Sequence, residues 1–171
     1  MVGRERHVCA VACPLSGSPC VVALHLSVPG FETRQLATLW QLSYAFLLRV
    51  PSEALPMRKG TPVGQRAHQC QSLIWREDDC VCMRLLRRKN RPHGSGVMRR
   101  KCSCPGASRF CLVHYVWDGY VANLEEGEQL FEGISDGFAR TRLHALLRQL
   151  AVPDAELYRL HDFRRGHAEA R

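Results

Sequence analysis

The residues best suited to chemistry lie near the C-terminus, in His161-Asp162-Phe163-Arg164-Arg165-Gly166-His167-Ala168. A helix beginning near His161 sets His161 and Arg164 three apart, on one face and toward one ligand. Imidazole beside guanidinium is an anion-binding pair, and Arg forks onto two oxygens of a single phosphate. The same spacing also describes an ordinary solvated helix face, so the pair counts as a site only if partners for it exist elsewhere in the chain.

A second constellation is Cys102-x-Cys104-x6-Cys111-x2-His114. Two Cys at alternate positions of a strand point to one face, and a turn through Pro105 and Gly106 can return Cys111 and His114 to them. Four soft ligands at this spacing suit a structural zinc ion that pins a hairpin to the following helix. The alternative is reduced Cys serving as small core residues, with His114 on a helix face. Cys80 and Cys82 repeat the alternate spacing without a second pair and are expected to pack within a strand.

The elements that must position these groups come from a chain of 171 residues, 46% of them hydrophobic, enough for one core or for one core and a tail. The net charge of +8 is concentrated: Arg84 to Lys101 holds eight Lys or Arg and no acid. This points to a polyanion partner at one place, with a solvated basic loop as the alternative. Nine Cys, an odd count at uneven spacing, argue for reduced intracellular thiols rather than a disulfide framework. No apolar stretch of about 18 residues exists to cross a membrane. Arg4 and Arg6 precede a short apolar run, but Pro14, Gly17 and Pro19 interrupt it, which argues against a secretory leader.

Residues 1–33 show no sustained period and are expected to form an extension, and 34–171 the domain. Leu36, Leu39, Trp40, Tyr44 and Leu47 recur at helical steps from Arg34 to Arg49, with Pro51 expected to end that helix. Ser52 offers an N-cap for a short second helix. Leu73-Ile74-Trp75, Cys80 to Lys89 and Val97 to Cys102 are expected to form a three-stranded antiparallel meander whose second hairpin is basic. Further helices are expected over Leu112 to Leu124 and Ser135 to Leu150, the latter with Phe138, Leu143, Leu146, Leu147 and Leu150 on one side.

Set in this order, three segments carry a resemblance. The octet at His161 resembles the His-x-x-Arg box of the tyrosine recombinases, the phage-integrase-like DNA strand transferases. Tyr44 to Leu55 resembles that family's first box, in which an apolar helix delivers an Arg and an acid opens the next helix. Leu85-Leu86-Arg87-Arg88-Lys89-Asn90 resembles its basic hairpin. The resemblance spans about residues 36 to 168 and implies an α+β fold, a mainly helical integrase-like catalytic domain with the small three-stranded sheet. It implies catalytic roles for Arg49, Lys89, His161 and Arg164, with Glu53 in support. Arg49 and Glu53 are four apart, where the family usually has three, a departure assigned to Pro51.

The family chemistry needs no cofactor: two Arg forks stabilise charge on the attacked phosphodiester, Lys acts as general acid, and His assists proton transfer. The implied partner is double-stranded DNA, bound by a possible homo-oligomer, inside the cell and in the nucleus of a eukaryote. Arg87, Arg88, Arg91, Arg99, Arg100 and Lys101 are the expected DNA contacts. The family's nucleophilic Tyr lies beyond the His-x-x-Arg helix, and here Tyr44, Tyr115, Tyr120 and Tyr158 all precede it. The expectation is a truncated catalytic domain, with strand breakage and rejoining as its family function and no cleavage by this polypeptide. The alternative is a non-catalytic nucleic-acid-binding module with a basic hairpin and a Cys3His zinc site.

Overall fold

The computed structural model describes residues 31–62, 71–89, 93–102 and 111–163. Most of the expected extension, residues 1–30, lies outside them. Helix α1 runs Phe31–Phe46, three residues earlier than its periodicity suggests. The expected stripe of Leu36, Leu39 and Trp40 is buried, but so are Ala37, Thr38, Gln41, Leu42 and Ser43, so the helix is enclosed on most sides.

Pro51 is not what ends it. Leu47 adopts a left-handed conformation, φ 57°, and the chain closes with Leu48 N–H on Ser43 O at 2.9 Å and Leu47 N–H on Tyr44 O at 3.4 Å. This is the two-bond helix stop usually built on Gly, here on a Leu that carries the strain of a Cβ in that region. Pro51 instead lies in the first turn of the segment Val50–Ala54, where its missing N–H costs nothing. Ser52 is inside that turn too, and the N-cap position belongs to Arg49.

The sheet holds four strands rather than three: β1 (Arg58–Lys59), β2 (Leu73–Glu77), β3 (Cys80–Arg84) and β4 (Met98–Lys101), in that order across the sheet. β2, β3 and β4 are antiparallel as expected, and β1 adds a parallel edge. Period-two alternation sorts the sheet into two faces. Ile74, Val81 and Met83 join the main core, whereas Leu73, Trp75 and Cys82 form a smaller cluster beneath Trp117. β3 stops at Arg84, short of the expected Lys89. Ser95 then clips the hairpin through Leu85 N–H to Ser95 Oγ and Ser95 N–H to Leu85 O, both at 2.9 Å. Gly94 between them has φ +87°, and a Cβ there would meet Leu85 O at 2.4 Å, so only Gly fits.

The helix expected over Leu112 to Leu124 is a wide-turn segment, Leu112–Asp118, followed by a tight turn at Val121–Asn123. β1 is held by this region: Lys59 Nζ donates to Ala122 O at 3.0 Å and Leu124 O at 2.6 Å. Helix α2, Asp136–Gln149, begins where Ser135 Oγ accepts from Phe138 N–H. It buries Ala139, Leu143, Leu146 and Leu147. Leu160 and Phe163 complete the core, Phe163 stacking on Trp40 of α1 at 6.0 Å between ring centres. Gln35 of α1 reaches Leu130 O at 3.5 Å. Among the described residues no helix is long and apolar enough to cross a membrane.

Candidate functional site

The left-handed Leu47 turns the chain out of α1 so that Arg49 and Glu53 share a single turn. That turn is wider than an α-helix: Ala54 N–H reaches Arg49 O at 3.1 Å and Leu55 N–H reaches Val50 O at 2.9 Å, both five residues back. Such a turn holds one residue more than an α-helical turn. Within it the Glu53 carboxylate lies close to Arg49. Glu53 Oε2 accepts from the Arg49 backbone N–H at 2.9 Å, reaching back as the acid of a capping box does.

Glu53 is 1% exposed, yet two cations flank its second oxygen. Arg49 Nη1 lies 3.7 Å from Oε1 and Arg88 Nε lies 3.8 Å from it. Neither separation is a hydrogen bond, and Oε1 has no donor among the described residues. A buried carboxylate thus fixes two guanidiniums without consuming their N–H groups. The side chains of Arg49 and Arg88 are 29% and 25% exposed, so both reach solvent. Two positive charges against one negative leave a local excess of one at a partly exposed place, a balance suited to an oxyanion. Arg88 is held further by Nη2 on Leu47 O at 3.4 Å and Nη1 near Met98 Sδ at 3.7 Å.

The remaining expected cations divide. Lys89 and Arg87 are exposed on the hairpin beside Arg88 and make no ion pair or hydrogen bond among the described residues. Arg91 and Arg164 lie outside those residues. His161 is exposed in the turn that precedes Asp162 and Phe163, with Asp162 Oδ2 closing the turn on Arg159 N–H at 2.7 Å. The flanking Leu160 and Phe163 are in the core, which ties the His161 segment to α1 through the Trp40 stack.

Strand alternation splits Arg99, Arg100 and Lys101 between the two faces. Arg100 faces the core side and donates through Nε and Nη2 to Ala45 O, at 3.0 and 2.8 Å, with its guanidinium 5.7 Å from the Phe46 ring centre. It caps a carbonyl that the end of α1 leaves unpaired. Arg99 pairs with Glu77 at 3.0 Å and Lys101 with Asp79 at 3.4 Å, both exposed. Hydrogen bonds from Arg99 and then Trp75 hold the Glu77 carboxyl below its ordinary range.

No family model, curated protein or solved structure matches this chain.

A second group gathers at the far end of β4. Cys102, Cys111 and His114 place their ligand atoms within 4.8 Å of one another, a group with the donors to hold a metal ion. Cys104, expected as a fourth member, is outside the described residues. Cys80 and Cys82 belong to another environment: burial pushes both thiols up, and neighbouring Asp79 and Glu77 respectively add to it. They are therefore protonated packing residues at neutral pH, as expected. Tyr120 is also buried, its hydroxyl donating to Leu130 O and its phenol raised by burial, which makes it a poor nucleophile.

The sequence pattern missed two things. Arg88, rather than Lys89, joins Arg49, and Arg100 serves the helix rather than the surface. The second was within reach, because alternation from Met98, an apolar residue expected to face inward, puts Arg100 on the same side.

Proposed function

We propose that this chain binds the phosphodiester backbone of double-stranded DNA, as part of a strand-breaking and rejoining domain of the tyrosine recombinase type. The buried Glu53 between the guanidiniums of Arg49 and Arg88 carries the reading. It joins the first Arg box to the basic hairpin, segments far apart in sequence, and supplies the paired cations that an attacked phosphate requires. In this proposal Arg49 clamps the phosphate, Glu53 orients it, Lys89 is the general acid and Arg88 steadies the hairpin. The same reading assigns His161 and Arg164 to the attacked phosphate and Arg87 and Arg91 to the flanking backbone. An integrase-like fold belongs to the same proposal.

The test is a duplex-binding titration over a range of salt. Arg49→Ala is expected to weaken binding roughly tenfold and to lower the salt slope by about 1, uniformly across sequences. Arg99→Ala, in an exposed pair away from the site, should leave the slope within about 0.3 of the parent on the same scale. Equal loss from both variants would refute a localised phosphate site. The second reading, a non-catalytic nucleic-acid-binding module with a basic hairpin and a Cys3His zinc site, is favoured by the Cys and His group at the end of β4. It requires Arg49→Ala to bind as the parent does.

A further inference from the structure

The Cys and His group beyond β4 has a geometry of its own. Cys102 Sγ is 3.5 Å from Cys111 Sγ and 3.6 Å from His114 Nδ1. A disulfide would need about 2.05 Å between the sulfurs, so these two are not joined. In a tetrahedral zinc site, Zn–S of about 2.3 Å and Zn–N of about 2.05 Å give edges of about 3.8 Å between sulfurs and about 3.6 Å between sulfur and nitrogen. The two distances fall close to those edges. Three half-buried side chains from two separate elements have therefore converged at ligand spacing.

We propose that Cys102 Sγ, Cys111 Sγ and His114 Nδ1 bind one zinc ion, and that this ion is a structural clasp between β4 and the segment Leu112–Asp118. Two thiolates and an imidazole select zinc among the common divalent cations, whereas Mg²⁺ and Ca²⁺ prefer oxygen. On binding, each thiol gives up its proton to solvent, and the metal–sulfur bonds form with no change in oxidation state. The local chain supports the set. Cys111 stands immediately before the helical segment, with Tyr115 N–H on its carbonyl at 2.8 Å, and the first turn brings His114 alongside. Cys102 N–H is fixed on Asp79 O at 2.8 Å, at the tip of the β2–β3 hairpin. The clasp thus holds the end of the strand whose Arg100 caps α1, two residues before Cys102. Loss of the ion is expected to loosen β4 first and the cap next.

The test uses the full chain, produced with zinc in the medium and purified without chelator, and needs no DNA. Its result is therefore independent of the phosphodiester reading. Metal analysis should give one zinc per chain. Cobalt replacement should give the strong visible bands and near-ultraviolet thiolate charge transfer of a tetrahedral thiolate site. Cys111→Ser should lower zinc affinity at least a hundredfold, while Cys82→Ser, in the neighbouring sheet cluster, should keep the full equivalent. A parent protein with under a tenth of an equivalent that also fails to take up added zinc would overturn the proposal. So would a weak, octahedral cobalt spectrum, or a Cys111→Ser protein that keeps its full equivalent.

Discussion

Replacing Glu53 by Gln removes one negative charge and little else, which makes it the most direct probe of the cluster. At 3.7 and 3.8 Å and an effective dielectric constant of about 20, each guanidinium attracts the carboxylate by about 4 kcal/mol. Against this stands the several kcal/mol needed to bury the carboxylate. Gln can still accept the Arg49 N–H, but its amide then faces two cations that have lost their counter-charge. Both Arg side chains reach water, which screens them, so the loss is set at about 3 kcal/mol, the low end for breaking a buried pair. For a chain of this length that corresponds to a fall of about 6–12 °C in melting temperature. Circular dichroism melts of Glu53→Gln, Arg88→Met and the double variant measure both the loss and its coupling. Because the carboxylate is shared, Glu53→Gln should cost at least about 1 kcal/mol less in the Arg88→Met background. A single-variant loss below about 0.5 kcal/mol, ordinary for a surface change, would refute the cluster as described.

Arg100→Ala is expected to cost about 1–3 kcal/mol, through two donors lost from Ala45 O and the contact with Phe46, whereas Arg99→Ala, in an exposed pair, should cost distinctly less. Thermal melts of the two neighbours decide, and the reverse order would contradict the assignment of faces. Glu77 has a depressed carboxyl in the folded state, so its contribution is present above the ordinary carboxylate pKa and is lost as pH falls through the lower folded value. Melts between neutral pH and about pH 3 should show Glu77→Gln with a shallower acid decline than the parent.

Helix α2 was legible in the sequence because its leucines recur at helical steps, although Phe138 and Leu150 of the expected side are only half-buried and Ala139 joins Leu143, Leu146 and Leu147 in the core. At the end of α1 the signals conflicted. Pro51 is a strong reason to stop a helix, but the two-bond closure at Leu47 and Leu48 stops it earlier, with Leu47 in a conformation its side chain disfavours. Nothing in the identity of Leu announces this. The Arg49–Glu53 pair was visible as a pair, while the wide turn that makes its spacing work depends on bonds reaching five residues back. Strand β1 was beyond reach, since two residues cannot display an alternation. The charges from Arg84 to Lys101 read as one patch in sequence. The pleat turned Arg100 toward Ala45 and left Arg99 and Lys101 against Glu77 and Asp79, so the exposed cations without an acidic partner are fewer than the count suggests.

The bond from Gln35 to Leu130 joins positions 95 residues apart. On a ribosome adding about 5–20 residues per second, α1 therefore waits about 5–20 s for that partner to be made. During this interval Leu36, Leu39, Trp40 and Leu42 are covered only by the part of the core already made, and Trp40 waits longer still for the Phe163 ring. The helix that opens the described part of the chain is therefore among the last to have its surroundings completed during synthesis.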